Sequence, residues 1–140
     1  MLYNINPKKW GDAYWKMSHY ITFAYPDAPT NEDKINVKSY FDNLRYLLPC
    51  ANCRGHYIQH LSMYPLTDDI LSSRYKLIKW LIDLHNAVNR RIGQREYTID
   101  EVFKIYSGDN NSYFNIDQNI LQIIFLVVII VALIVYMKNK

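Results

Sequence analysis

The sequence predicts an all-α chain that ends in a single membrane-spanning helix. Three observations carry this reading. Apolar residues recur at spacings of three and four in several stretches, the period of a helix face. No convincing apolar–polar alternation and no internal repeat competes with that pattern. Finally, residues 120–137 form an uncharged run of eighteen, interrupted only by Gln122.

The segment from Asn6 to Ala24 reads as the first helix. Asn6 can cap it, and Pro7 suits the first helical position, where its missing N–H costs nothing. Trp10, Tyr14, Met17 and Ile21 share one face; Gly11, Trp15, Ser18, His19 and Thr22 form a neighbouring stripe. Pro26 and Pro29 end the helix, since proline cannot continue it. A second helix begins at Thr30, with Glu32 and Asp33 in its first turn. Val37, Tyr40, Phe41, Leu44, Leu47 and Leu48 give it the cleanest apolar stripe in the chain. Pro49 stops it. A short third helix is expected from about Cys50 to Met63, followed by a turn-rich connector from Tyr64 to Asp69. The fourth helix should run from Ser72 or Ser73 to Ile92, with Leu77, Leu81, Leu84, His85, Val88 and Ile92 on one face. Gly93 lies where a terminating glycine belongs. Thr98 with Glu101 three residues on is a capping box, opening a fifth helix to Tyr106.

Residues 107–119 are polar and read as a linker. The eighteen residues beyond it would cover ~27 Å as a helix, close to the ~30 Å hydrocarbon core of a bilayer. A buried core helix would show a polar face, and Ile123 to Val135 shows none. Tyr136, Lys138 and Lys140 suit a membrane interface. The expected division is therefore a domain over 1–106, a linker over 107–119 and a membrane helix over 120–137. Flanking charges are too few to set its orientation. Met1 to Trp10 is polar and contains Pro7, so no signal peptide is expected.

The chain has 140 residues and a formal net charge of +3. That length suits one domain with a real core. Setting aside Lys138 and Lys140 leaves fourteen basic against thirteen acidic residues, with no basic block. Nucleic-acid binding thus lacks electrostatic support.

The two cysteines, Cys50 and Cys53, follow Pro49 and are three apart. A loop that short cannot brace a fold, so oxidation there points to chemistry rather than stapling. A helix N-terminus at this point would favour a thiolate. Such a pair can be a redox dithiol, half a zinc site, or chance. Cys50, Cys53, His56 and His60 on one straight helix would spread over ~15 Å, too far to converge on one tetrahedral metal, so no metal site is expected. A thioredoxin-like site requires a βαβ pattern, and the chain shows no strands. A dithiol beside an organic redox cofactor needs somewhere to send two electrons, and a flavin can take them. Flat apolar walls and a few polar groups would hold it. Trp15 and His19 are four apart on one helix; His85 and Asn89 are four apart on another, with Asn86 beside them. Taken singly, Trp15 is more often core and a lone His is usually a satisfied rim residue. Two mid-helix Asn are harder to dismiss, because Asn is a poor helix former and needs partners when buried.

The order Gly11-x-x-x-Trp15-x-x-x-His19, Tyr25-Pro26, Pro49-Cys50-x-x-Cys53, Trp80-x-x-x-x-His85-Asn86-x-Val88-Asn89 resembles the Erv/ALR family of FAD-linked sulfhydryl oxidases. The likeness covers residues from about 7 to 106. The cysteine pair alone is weakly specific, whereas His-Asn-x-Val-Asn at this distance after it is strongly specific. The short, cysteine-poor form with an apolar C-terminal run is similar to the members encoded by large cytoplasmic DNA viruses.

The resemblance implies a four-helix bundle with a short fifth helix, holding FAD at one end. It implies that Cys53 lies against the flavin and that Cys50 meets the incoming thiol. Gly11, Trp15 and His19 match one cofactor-contacting segment; His85, Asn86 and Asn89 match the other; Tyr57 matches an aromatic position after the cysteines. The implied activity is disulfide formation in a partner dithiol protein, thioredoxin-like or a viral membrane protein. Electrons would pass through FAD to oxygen and yield hydrogen peroxide. The chain departs from the pattern at Asp12, where many members carry Arg, and at Gln94, where Lys is common, with Arg95 next to it. With no third cysteine, any homodimer must be non-covalent. A single C-terminal anchor would leave the domain cytosolic, consistent with a viral oxidative pathway in a reducing compartment. The competing reading is a non-enzymatic, membrane-tethered helical adaptor with incidental cysteines.

Overall fold

The computed structural model describes residues 4–107, 123, 125–130 and 135–137. The chain divides into two units, Met1–Tyr106 and Ser107–Lys140. In the second, residues 125–130 and 135–137 are helical. Among the described residues no helix is long and apolar enough to cross a membrane. The run 120–137, expected to span one, falls partly outside the described residues, as does the expected linker beyond Ser107.

The first unit is all-α, with helices α1 (Gly11–Ala24), α2 (Asn31–Leu47), α3 (Ala51–Met63), α4 (Arg74–Arg91) and α5 (Ile99–Tyr106). The chemistry of the helix ends explains most boundaries. Thr30 caps α2 through a reciprocal box with Asp33: the Asp33 N–H donates to Thr30 Oγ1 at 3.2 Å, and the Thr30 N–H donates to Asp33 Oδ2 at 2.8 Å. Ser73 caps α4, its Oγ accepting from the Lys76 N–H. Thr98 and Glu101 form the expected box ahead of α5. Gly93 has φ +70, the left-handed conformation that terminates α4.

Two details differ from the sequence reading. Asn6 caps a 3-10 turn, Pro7–Lys9, and α1 starts only at Gly11, because Trp10 leaves the helical region (φ −131, ψ −17) and donates its indole N–H to the Ile5 carbonyl. Within α1 the buried residues are Ser18, His19 and Thr22, while Met17 is exposed. The polar stripe, not the apolar one, is the more deeply buried, because α1 packs most closely along α4. A second 3-10 turn, Ile70–Ser72, lies in the connector before α4.

Helix α1 packs along α4 and α2 along α3, with α5 closing against α1 and α4. The main core gathers Phe41, Leu44, Leu48, Leu71, Leu77, Trp80, Leu81 and Leu84. Each such side chain contributes roughly 1.5–3 kcal/mol by leaving water. Phe41 and Trp80 meet edge to face at 4.9 Å. Polar tips within this core are paired. The Trp80 indole donates to the Tyr64 carbonyl at 3.0 Å, Tyr25 to Leu71 at 2.9 Å and Tyr57 to Phe41 at 2.8 Å. A smaller cluster, Ile78, Ile82, Val102 and Phe103, seats α5.

Candidate active site

Pro49 ends one helix and Cys50 caps the next. Cys50 has extended backbone angles, and its Sγ accepts the N–H of Cys53 at 3.1 Å. The two sulfurs form a disulfide. The positive end of α3 therefore acts directly on Cys50 as well as on Cys53 in the first turn, as a helix N-terminus at this point was expected to do. Residues ahead of α1 reinforce this corner. Asn4 Oδ1 accepts the Ala51 N–H at 2.9 Å, and the Ile5 N–H donates to the Pro49 carbonyl at 2.7 Å. Cys50 is only 7% exposed.

Cys53 opens onto a cavity of about 920 Å³ between α1, α3, α4 and α5. Gly11, Trp15, His19, Tyr57, His85 and Asn89 line it together with Cys53, so seven of the nine residues singled out in the sequence converge on one space. Cys50 does not line it. Neither does Asn86, whose amide instead brackets Tyr97, donating to its carbonyl at 2.8 Å and accepting its N–H at 2.9 Å. Asn89 donates to the Arg95 carbonyl at 3.0 Å. These are the partners that two mid-helix Asn required, and they pin the loop between α4 and α5 so that Tyr97 reaches the cavity wall.

One wall is aromatic. Trp15 and His85 stack with centroids 3.8 Å apart, and His19 stacks on Tyr106 at 4.6 Å. His19 Nε2 and His85 Nδ1 are 3.2 Å apart, so one carries the shared proton and the other accepts it. Both rings are held neutral. Burial, then the neighbouring His85, pushes His19 down to about 3. Burial pushes His85 down to about 4 against the opposing pull of Asp12.

Residues that line the cavity also carry the unsatisfied polar atoms. Among the described residues, the buried side-chain atoms without a hydrogen-bond partner are the Tyr14 hydroxyl, His19 Nδ1 and both ring nitrogens of His60. All three residues line this cavity. Tyr14 lies near Ser18 and Tyr57, but at a geometry that makes no hydrogen bond with either. Burial pushes its hydroxyl pKa up, keeping it a neutral donor. Native folds rarely leave such atoms unpaired without a ligand or water to meet them. Flat aromatic walls, a few polar residues among them, and a volume inside the usual range for ligand sites suit a large planar cofactor.

A sequence model of the Erv1 / Alr family matches residues 12–107. The chain belongs to the Erv1 / Alr family. It is 45% identical over 100 residues to a probable FAD-linked sulfhydryl oxidase of Acanthamoeba polyphaga mimivirus, covering 71% of this chain and 70% of that protein. An FAD-linked sulfhydryl oxidase of African swine fever virus is 31% identical over 69% of this chain and 79% of its own length. The crystal structure of the yeast Erv1 core superposes with a TM-score of 0.68 at 21% identity, over 74% of this chain and 86% of that one, a likeness of fold.

Within this Erv1 / Alr site, sequence reasoning missed Tyr14, His60, Tyr97 and Tyr106. Tyr106 could have been found as the last residue of the capped fifth helix. Tyr97 carried no signal, since the grip of Asn86 brings it in. His60 was considered only as a metal ligand, although its place four residues after His56 already put both on one face of α3.

Proposed function

We infer that the chain is an FAD-linked sulfhydryl oxidase that forms disulfides in partner dithiol proteins. The observation that carries this is a disulfide with one of its cysteines, Cys53, lining a cavity walled by Trp15, His19, His85 and Tyr106. Gly11, Trp15, His19, Tyr57, His85 and Asn89 would hold the FAD, with Asn86 acting through the loop it pins. When bound, FAD supplies the acceptor for two electrons from the dithiol and passes them to oxygen, giving hydrogen peroxide.

The chain's own residues perform the exchange. A substrate thiolate attacks Cys50 Sγ, the Cys50–Cys53 bond breaks, and Cys53 leaves as thiolate. A second substrate thiolate then attacks the substrate sulfur, closing the substrate disulfide and releasing Cys50 as thiolate. The Cys53 N–H and the end of α3 stabilise that charge. What supports this direction is that Cys53, and not Cys50, lines the cavity. The rings of His19 and His85, neutral at physiological pH, keep the wall uncharged.

Purified full-length protein should be yellow and consume oxygen with a small dithiol. Cys53→Ser and Cys50→Ser should each abolish turnover while the flavin stays bound. A colourless folded protein, or a serine variant of normal rate, would refute the reading.

The apolar run 120–137 acts in this proposal as a membrane anchor, with the oxidase domain on the cytosolic side in a viral disulfide-forming pathway. Its length and lack of charge support this. Protease should digest the domain in sealed microsomes made after insertion of the full chain; protection of the domain would reverse the topology.

A further inference from the structure

A partner's thiolate must reach Cys50, yet Cys50 is buried, whereas Cys53 is half-buried. The backbone around it shows what occupies the approach. Between α2 and α3 the chain is extended at Leu48 and Cys50, with ψ of 129 and 118. Asn4 and Ile5 lie alongside. The Ile5 N–H donates to the Pro49 carbonyl at 2.7 Å, and Asn4 Oδ1 accepts the Ala51 N–H at 2.9 Å, one bond on each side of Cys50.

This is how an extended segment adds to an exposed edge: main-chain hydrogen bonds hold the guest, and side chains set the choice of guest. Here the guest is the chain itself, and it is lightly held. Asn4 and Ile5 are both exposed, so little apolar burial adds to these bonds. A third bond, from the Trp10 indole to the Ile5 carbonyl at 3.2 Å, ties the strap to the start of α1.

The surroundings give the chemistry of a replacement. Arg54 donates to the Leu48 carbonyl at 2.6 Å and has no carboxylate partner among the described residues. Together with the positive end of α3, it favours an anionic acceptor on the Ala51 N–H over the neutral amide of Asn4. Leu47, three residues before Cys50, is exposed and offers an apolar contact.

We propose that the face covered by Asn4 and Ile5 is the docking surface for substrate. Its partner is an extended segment of the dithiol protein with an Asp directly before the attacking cysteine. That segment displaces the strap and takes over its bonds, a main-chain N–H on the Pro49 carbonyl and the Asp carboxylate on the Ala51 N–H. The substrate thiolate then attacks Cys50 Sγ, the mixed disulfide forms, and Cys53 leaves as thiolate. The proposal rests on the sulfhydryl-oxidase reading above, with Cys50 as the exchange sulfur.

The test traps the docked state in full-length Cys53→Ser protein, where Cys50 is the lone thiol. Its thiolate attacks a short peptide whose single cysteine, preceded by Asp, is carried as the 2-pyridyl disulfide. Pyridine-2-thiolate leaves, and the peptide stays as a mixed disulfide. Amide hydrogen exchange then reads the strap. The Ile5 amide should lose protection in the trapped complex, while the Ala51 amide keeps it. An Ile5 amide that stays protected would overturn the proposal. So would an Ala51 amide that exchanges as fast as in Asn4→Ala protein, since the strap would have left with nothing in its place. A kinetic arm needs no trapping. Asn4→Ala, otherwise wild type, should raise kcat/KM for dithiothreitol about 2- to 10-fold, the loss of one competing hydrogen bond. An unchanged or lower value, the mark of a merely structural role, would count against the proposal just as firmly. Wild-type protein whose disulfide dithiothreitol does not reduce would instead remove the sulfhydryl-oxidase reading, and the docking surface with it.

Discussion

His19 is 1% exposed and hydrogen-bonded to His85, and that pairing has a definite pH signature. Both pKa values lie below the ordinary 6.5, at about 3 and about 4. An unfolded chain takes up protons on these rings below ~6.5, while the folded chain resists them. Their stabilising contribution is therefore complete above pH 6.5 and is lost as pH falls toward 4, by roughly 1.4 kcal/mol per pH unit for each ring. Calorimetric Tm should fall steadily over that window. A flat profile from pH 6.5 to 4.5 would show that the pair is not desolvated as described. At this scale the sequence was informative where a residue type is rare in its setting. Trp15, His19 and the two Asn stood out because polar or aromatic groups at helical spacing demand partners. Their actual partners, Tyr106 for His19 and the Tyr97 backbone for Asn86, depend on where α5 docks, which no local pattern encodes.

Helix ends were the most legible elements, because capping is local chemistry. The Thr30–Asp33 box predicts that Thr30→Ala costs about 1 kcal/mol, lowering Tm by about 4–8 °C in a thermal melt. Gly93 tests the other end of a helix. Its φ is +70, and a Cβ there would meet nothing within 4 Å, so Gly93→Ala should cost only backbone strain, roughly 1–2 kcal/mol in a denaturant titration. A larger loss would mean that the loop bearing Tyr97 had also come free. Face assignment was less legible. Apolar periodicity put Met17 beside Tyr14 and Trp10, yet Met17 is exposed while Ser18 and Thr22 are fully buried. The reason is physical: Ser18 and Thr22 are small enough to sit where α1 packs closely along α4, and their hydroxyls find partners in the Tyr40 hydroxyl and the His19 carbonyl, so apolarity alone does not mark the inner face there. Helix α2, which faces only packed core, obeys the rule for Phe41 and Leu44, though Leu47 at its end turns outward.

For the whole molecule, class, helix order and the convergence of motifs were readable because each rests on spacing along the chain. The cavity itself was not, since it is a property of how α1, α3, α4 and α5 leave a space unfilled. That space has a consequence for the protein in a cell. An unliganded chain carries buried polar atoms on Tyr14, His19 and His60 that its own fold does not satisfy. Ligand that binds only the native state stabilises it by mass action, about 2.7 kcal/mol at a hundredfold excess over Kd. Newly made chains that have not met cofactor will visit the unfolded state more often and be cleared by proteases sooner. The steady amount of this protein should accordingly follow the vitamin B2 supply of the cell that makes it, and starvation for that vitamin would remove the protein as well as silence it.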